Sequence, residues 1–238
     1  YMNIIIFIDY DNLSTIQKTS GVFDIVQKTL AQSSSHIFEN IVSCEIRLYG
    51  GWYEGDTLSV LSQKLTVSIQ NEFPAIMRIL RDNGETAVIR TTAELAVSLL
   101  EEPGHQLFNT YRRKGRPSNI RVETPAVVGC DSTCCPLPIV KKILQKGRCT
   151  VQNCCSTSTS VVYRHEQKLV DTMLTCDLIH VSGKNNDLIF IISADDDFLP
   201  PIRTLLLKGK KIIRVHPKIS NEIKPIRVGT STLIELGI

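Results

Sequence analysis

The residues from Leu188 to Phe198 constrain the fold more than any other stretch of the sequence. An apolar run, Leu188–Ile192, is followed by Ser193, Ala194 and three consecutive aspartates at 195–197. A continuous apolar run rich in Ile is typical of a strand that is buried on both faces of a parallel sheet. Ligands of open α/β sheets bind beyond the carboxyl ends of the strands, and adjacent carboxylates repel one another unless a cation, a proton or water screens them. The stretch therefore predicts a buried strand that leads into a polar site.

A second apolar run, Asn3–Ile8, also ends on a carboxylate, Asp9. In the first half of the chain we also predict a long helix at Asp56–Phe73, with Asp56 as its N-cap. The elements predicted for the second half are a helix at His165–Leu178, a strand at Leu188–Ile192, a helix at Leu199–Leu207 and a strand at Lys211–Val215. Alternation of strands and helices implies right-handed βαβ units and a parallel sheet. The predicted fold class is therefore α/β.

Length and hydrophobicity describe one large globular domain. The chain has 238 residues, of which 42% are hydrophobic, and we expect a single domain over 1–238 with an insertion at 104–160. No apolar run approaches the roughly 20 residues that are needed to cross a bilayer. The first residues, Tyr1–Ile4, have neither the basic region nor the cleavage site of a signal peptide. We therefore expect a cytoplasmic protein without a membrane partner.

Charge alone neither requires nor excludes nucleic acid as a partner. The chain has 27 Lys and Arg against 24 Asp and Glu, a net charge of +3, so the distribution of charge is more informative than the total. Basic residues cluster at 112–116, 141–142 and 208–211. A solvated surface is the ordinary explanation for such clusters, and a track for phosphates is the alternative.

The cysteines are unevenly distributed. Six of the eight lie between Cys130 and Cys155, within the predicted insertion. Two pairs, Cys130 with Cys134 and Cys149 with Cys154, have the composition of a tetrahedral structural zinc site, although their spacing is looser than usual. Disulfide bonds and free thiols remain alternatives.

Four aspartates are predicted to form one cluster. Asp9 and Asp195 end buried strands, Asp197 lies two residues further on, and Asp171 lies near the start of the intervening helix, at the same edge of the sheet. Asp177 lies on the apolar side of that helix and roughly 9 Å further along its axis, which is too far. Carboxylates are ligands of Mg²⁺ and Mn²⁺, which polarise phosphoryl oxygens and lower the pKa of bound water. The alternative is that the acids at 195–197 only cap the next helix.

At these residues the sequence resembles the NYN-domain (LabA-like) family of PIN-like metal-dependent nucleases. The similar segments, in the family's order, are Phe7–Leu13, Lys168–Asp171, Ser193–Phe198 and Lys208–Ile213. The resemblance covers 3–13 and 164–217 and hardly touches the middle of the chain. Ala194 stands where the family usually has Gly, and the Cys-bearing segment is an addition. Neither departure removes a carboxylate.

The resemblance implies a three-layer α/β/α, PIN-like (Rossmann-like) domain with a mostly parallel sheet. It also implies hydrolysis of phosphodiester bonds in RNA by an endoribonuclease that uses Mg²⁺ or Mn²⁺. Asp9, Asp171, Asp195 and Asp197 would hold the metal, and Asn12 and Ser193 would orient carboxylates or water. The residues suggested for contact with the phosphate backbone are Lys168, Arg164, Arg112 and Arg113. For Lys168, a salt bridge with Asp171 is an equally good explanation.

The sequence is also compatible with other functions. Asp9-Tyr10-Asp11 also resembles the Asp-x-Asp of haloacid-dehalogenase-like phosphatases, but Leu13 and Ala194 depart from that family's pattern. A PIN-like module that binds RNA or protein without cutting is the non-catalytic alternative, and single-stranded DNA is an alternative substrate. Asp196 should point away from the cluster and be dispensable for metal binding. The sequence does not determine the oligomeric state.

Overall fold

Contacts divide the chain into two compact units. The computed structural model describes residues 1–114, 135–217, 227–228 and 231–238. The sheet unit consists of Tyr1–Tyr111 and Gln167–Ile238, and the inserted unit is Arg112–Glu166. The expectation of a single domain over 1–238 with an insertion at 104–160 stays a prediction.

The elements up to the inserted unit alternate between strands and helices. In chain order they are β1 (Met2–Asp9), α1 (Thr15–Ser20), α2 (Val22–Gln32), β2 (Ile41–Tyr49), β3 (Tyr53–Glu54), β4 (Thr57–Leu58), α3 (Val60–Glu72), β5 (Ala75–Leu80) and β6 (Thr86–Leu95). Next come β7 (Tyr111–Lys114), α4 (Leu137–Lys146), α5 (Ser158–Val161) and β8 (Arg164–Gln167). The remaining elements are α6 (Val170–Val181), β9 (Leu188–Ile192), α7 (Leu199–Leu207), β10 (Ile212–His216), β11 (Arg227–Val228), β12 (Ser231–Thr232) and β13 (Ile234–Gly237).

Seven of the described strands form the main sheet, in the order β13-β10-β9-β1-β2-β6-β5. Every neighbouring pair is parallel except β5 with β6, which is antiparallel. In the centre, Ile8 of β1 is in register with Leu48 of β2 and with Ile192 of β9. The prediction of an α/β fold with a mostly parallel central sheet is confirmed, and the arrangement is compatible with three layers.

The central strands are buried because both faces of the sheet are covered. Ile4, Ile6 and Ile8 of β1 belong to a core with residues of α2 and α3. Ile5 and Phe7 belong to a second core with residues of α6 and α7. Alternate side chains of a strand point to opposite faces, so a strand covered by helices on both sides must be apolar throughout. This is the physical reason for the uninterrupted apolar runs of β1 and β9.

Two predicted helices begin later than expected. The prediction of a helix at His165–Leu178 is wrong at its start, because Arg164–Gln167 is a strand and Leu169 has a φ of 69°. A residue in the left-handed region cannot belong to a right-handed helix, so α6 begins at Val170. The helix predicted from Asp56 begins at Val60, where the Ser59 side chain accepts a hydrogen bond from the Ser62 backbone N–H. Ser59, and not Asp56, is therefore the N-cap.

The described part of the inserted unit contains the helices α4 and α5 and most of the strands β7 and β8. The strands β7 and β8 are neighbours, and α4 ends at Gly147, whose φ of 73° suits glycine. Among the described residues of the whole chain, none of the helices is long and apolar enough to cross a membrane.

Candidate functional site

The carboxyl ends of β1 and β9 lie side by side, so the residues that follow them are neighbours. Asp9 ends β1 and is only 4% exposed. Ser193, which follows β9, is fully buried. The prediction placed these two residues at one edge of the sheet, and the structure brings them into direct contact.

Asp9 is held through one of its two carboxylate oxygens. Asn12 Nδ2 donates a hydrogen bond to Asp9 Oδ2 at 2.6 Å, and Ser193 Oγ donates to the same oxygen at 2.9 Å. Within the described residues, Asp9 Oδ1 accepts no hydrogen bond. A buried carboxylate needs compensation for lost hydration, and two donors on Oδ2 fix the plane of the group. Oδ1 is therefore the oxygen that is left for a cation or a substrate group.

The same serine orients the acids that follow β9. Ser193 Oγ accepts a hydrogen bond from the Asp195 backbone N–H at 3.0 Å, while its proton is donated to Asp9. Asp195 Oδ1 in turn accepts from the Asp197 backbone N–H at 3.0 Å. The hydroxyl has one donor and two acceptor sites, so this pattern fixes the direction of its proton. Ser193 thus couples the position of Asp9 to that of the Asp195–Asp197 turn.

Asp171 belongs to the same electrostatic environment. It lies in the first turn of α6, and its pKa is raised, first by partial burial and then by the charges of Asp9, Asp195 and Asp197. Like charges raise the pKa of a carboxyl only when they are close enough to interact. Asp171 is therefore close enough to the other three aspartates of the predicted cluster to interact with their charges.

Asp11 is a fifth acid at this site. Its pKa is raised to about 6, first by desolvation and then by the charges of Asp9 and Asp171, while Lys18 lowers it. The residue as a whole is exposed, so solvent screens part of this interaction. Sequence reasoning did not include Asp11 in the cluster. Its position two residues after Asp9 is the signal that was available.

Arg214 supports the turn that carries the acids. This buried side chain, 2% exposed, donates from Nε to the Ser193 carbonyl at 3.2 Å and from Nη2 to the Asp195 carbonyl at 2.9 Å. Nη2 also pairs with Asp196 at 3.1 Å, and Nη1 lies 3.8 Å from Glu235. Sequence reasoning did not identify Arg214. A single charge inside the apolar strand β10 was the available signal.

Two other acids lie outside the cluster. Asp196 is exposed, pairs with Arg214 and does not contribute to the shift of Asp171. Asp177 is 1% exposed and accepts hydrogen bonds from Tyr49 Oη at 2.6 Å and the Leu100 N–H at 2.8 Å. It also lies 3.3 Å from Arg47 Nε. Its environment is that of a buried structural ion pair, in agreement with the apolar side of the helix on which the sequence places it.

The donor set suits a hard divalent cation. Within the described ranges, no three His, Cys, Asp and Glu side chains are arranged closely enough to hold a metal ion. Mg²⁺, however, is usually bound through one or two carboxylates and keeps several waters, so three protein ligands are not required. Asp9, Asp171, Asp195 and Asp197 offer only oxygen donors, and their mutual repulsion favours a cation between them. The residues present therefore fit Mg²⁺ or Mn²⁺.

Of the predicted phosphate contacts, Lys168 lies on the sheet unit. Lys168 is exposed, and its backbone N–H donates to the Thr110 carbonyl at 2.9 Å. Among the described residues its amine forms no ion pair, so the alternative of a salt bridge with Asp171 is not realised. The amine is therefore available to an anionic ligand.

The other three predicted contacts, Arg112, Arg113 and Arg164, lie on the inserted unit. Arg112 and Arg164 both pair with Glu166, at 3.6 and 2.9 Å. The Arg113 guanidinium lies 3.6 Å from the centre of the Tyr163 ring. One glutamate thus offsets the charge of two arginines only in part, and the three arginines together leave a net positive charge on this unit.

The predicted zinc site is only partly within the described residues. Cys130 and Cys134 lie outside them. Cys154 is exposed, and its pKa is lowered by hydrogen bonds, first with the side chain and backbone of Ser156 and then with the Cys149 side chain. The two described thiols therefore interact with each other, and zinc binding stays a prediction.

Comparisons with protein-family models, with curated proteins and with solved structures found no match to this chain.

Proposed function

We propose that this protein is a metal-dependent ribonuclease of the NYN type, which hydrolyses RNA phosphodiester bonds with Mg²⁺ or Mn²⁺ at the aspartate cluster. One observation carries the proposal: Asp9 is buried and hydrogen-bonded on Oδ2 alone, and it lies close enough to Asp171 to raise the pKa of that carboxyl. A structural acid in this position would be expected to have hydrogen-bond donors on both oxygens and no like charges beside it.

Local sequence and fold support the same assignment. Asn12 and Ser193, which the family resemblance suggests as orienting residues, both donate to Asp9. The acids follow parallel strands at the edge of the sheet where ligands of α/β proteins bind. A PIN-like, three-layer domain is the corresponding proposal for the fold.

The residues of the site would have distinct tasks. Asn12 and Ser193 hold the Asp9 carboxylate in one plane, and Arg214 holds the backbone that carries Asp195. The metal, when bound, supplies polarisation of a phosphoryl oxygen and a lower pKa for water. Hydrolysis by in-line attack of water would leave 3′-hydroxyl and 5′-phosphate ends.

The distribution of charge supports a nucleic acid as the substrate. The inserted unit has ten Lys and Arg but three Asp and Glu, a net charge of +7, whereas the rest of the chain has 17 basic and 21 acidic residues, a net charge of −4. A polyanion is attracted to a locally basic surface even when the whole protein is nearly neutral. Arg112, Arg113 and Arg164 are part of this surface, and Lys168 adds a basic group on the sheet unit.

Cleavage assays with matched variants test the proposal. Purified protein is incubated with labelled RNA, single-stranded DNA and duplex DNA in Mg²⁺, Mn²⁺ or EDTA. We expect metal-dependent cleavage of RNA that Asp9→Asn and Asp195→Asn abolish. Asp196→Asn is the control, because Asp196 lies in the same turn but outside the cluster.

Undiminished cleavage by the Asp9 and Asp195 variants would refute the assignment. Metal-dependent binding of RNA without cleavage by the wild type would favour the non-catalytic alternative. Release of phosphate from a small phosphomonoester with a phosphorylated Asp9 would favour the phosphatase alternative.

A further inference from the structure

A cleft beside the aspartate cluster has no role in the chemistry proposed above. It has a volume of about 320 Å³, and its lining includes Asp11, Gly51, Glu54, Leu61, Tyr111 and Gln167. All of them belong to the sheet unit. Asp11 connects the cleft to the cluster, because it lines the cleft and lies two residues after Asp9, the last residue of β1.

The floor of the cleft depends on a glycine. A Cβ atom on Gly51 would lie 2.9 Å from Cβ and Cδ2 of Tyr111 and 3.2 Å from Cγ of Gln167. Contacts of 2.9 Å between carbon atoms are far inside the favourable separation. Glycine at this position therefore lets Tyr111 and Gln167 pack directly on the backbone of residue 51.

Short backbone contacts hold the walls in place. Glu54 pairs with Tyr111 as neighbouring parallel strand residues. The Thr110 hydroxyl accepts from the Tyr53 N–H at 3.0 Å, and the Thr110 carbonyl accepts from the Lys168 N–H at 2.9 Å. These bonds fix the two segments that carry Tyr111 and Gln167, so the cleft is preformed.

Two polar side chains of the cleft lack protein partners. Within the described part of the chain, neither the Glu54 carboxylate nor the Gln167 amide forms a hydrogen bond or an ion pair, and Gln167 is half-buried. A half-buried amide normally finds a partner, whereas Glu54 is exposed and its carboxylate is open to water or to a ligand. Their arrangement around an aromatic side chain is what a small planar ligand with hydrogen-bonding edges requires.

Charge decides which ligand fits. None of the described residues that line the cleft is cationic, so a phosphate group is disfavoured there. Two carboxylates, Asp11 and Glu54, can only accept hydrogen bonds when ionised. Guanine presents two adjacent donors, N1–H and the 2-amino group, which match the two oxygens of one carboxylate, and its flat ring suits a Tyr111 wall.

We propose that this cleft is a nucleobase subsite that selects guanine in single-stranded RNA, beside the phosphodiester bond that is cleaved. The inference rests on the proposed ribonuclease function. Glu54 accepts the two donors of the base edge, Gln167 pairs with the remaining polar edge, and Tyr111 and Leu61 contact the ring faces. Asp11 places this base next to the cluster.

Binding of short RNAs in EDTA tests the subsite without cleavage. The probes are fluorescent uridine oligonucleotides with a single central guanosine, inosine or adenosine, where inosine lacks only the 2-amino group. We expect the wild type to bind the guanosine probe about tenfold more tightly than the inosine probe, as for other paired hydrogen bonds to a base edge. Glu54→Gln should remove this preference, and Glu101→Gln, an exposed acid outside the cleft, should keep it.

A second variant fills the cleft. Gly51→Ala should lower affinity for the guanosine probe to that for the inosine probe. Gly104→Ala is the matched control, since a Cβ there meets no atom within 4 Å. Thermal unfolding of both variants shows whether Gly51→Ala still folds, and Glu54→Gln decides the matter if it does not.

Equal binding of the guanosine and inosine probes by the wild type, or a preference that survives Glu54→Gln, would overturn the proposal. Binding of a triarginine peptide that depends on Glu54, without discrimination between the probes, would also overturn it. Metal-dependent cleavage without base preference would refute the subsite and leave the ribonuclease assignment intact. Guanosine-selective binding without cleavage would support the subsite and refute the ribonuclease assignment.

Discussion

Asp11→Asn should stabilise the metal-free protein at neutral pH, although it removes a charge from the candidate site. The pKa of this carboxyl rises from 3.8 to about 6 in the folded protein. At full burial such a rise would cost roughly 3 kcal/mol of folding free energy at pH 7. Asp11 is exposed to solvent, and screening reduces the expected cost to about 1 kcal/mol. Removing the charge should therefore raise the melting temperature by about 2 to 4 °C for a chain of this size.

The pH dependence gives the sign of the effect. Because the folded state holds the proton more tightly than the unfolded state, the carboxyl destabilises the fold progressively as pH rises from 3.8 to about 6, and constantly above that. The gain from Asp11→Asn should be small at pH 4.5 and largest above pH 6. Addition of Mn²⁺ should reduce it, because a bound cation offsets the repulsion among the carboxylates.

Thermal unfolding of both proteins from pH 4.5 to 8, in EDTA and in Mn²⁺, measures these differences. The control is Asp24→Asn, since the pKa of Asp24 is lowered, chiefly by a hydrogen bond from Lys28. Loss of that exposed pair should slightly destabilise the protein at pH 7. A melting temperature of Asp11→Asn that is unchanged or lower at pH 7.5 in EDTA would refute the reasoning.

Three further substitutions test other parts of the structure. Arg214→Met should lower the free energy of unfolding by about 3 kcal/mol in urea denaturation, since it leaves the buried carbonyls of Ser193 and Asp195 without their donor; a loss below about 1 kcal/mol would contradict this role. Asp177→Asn should lower the free energy of unfolding by about 2 kcal/mol, because Arg47 loses one carboxylate partner and keeps Glu94. It should leave the Mn²⁺ affinity in calorimetry unchanged, and weaker Mn²⁺ binding would place Asp177 in the cluster. Leu169→Gly should be more stable in thermal unfolding than Leu169→Val by about 1 to 2 kcal/mol, because of the φ of 69°; the reverse order would refute strain at this residue.

The strands of the core were predictable because of their burial. β1 and β9 contact helices on both faces, so their buried positions on both faces are apolar, and this produces uninterrupted apolar runs in the sequence. Once two such strands are parallel neighbours, Asp9 and the residues after Ile192 must meet at one edge. The aspartates could thus be brought together from sequence without knowledge of the side-chain contacts.

Other features depend on tertiary contacts that leave no periodic pattern. The left-handed conformation of Leu169 prevents α6 from beginning before Val170, and no residue type in the segment predicts this conformation. In the sequence, Arg214 is a single charged residue within the apolar strand β10. Its role becomes clear only from its hydrogen bonds to the Ser193 and Asp195 carbonyls. The cleft at Gly51 requires residues from four separate segments of the chain.

The position of β1 in the sheet has a consequence for synthesis on the ribosome. One edge of β1 pairs with β2, which follows it closely in the chain, but the other edge pairs with β9. Ser193, which follows β9 and bonds to Asp9, is synthesised 184 residues after Asp9. At usual translation rates this delay is about 10 to 40 s. During that time the nascent chain carries an isoleucine-rich strand with an unpaired edge, which other chains can join. Protection of that edge by a chaperone would raise the yield of folded protein, and the complete site can form only late in synthesis.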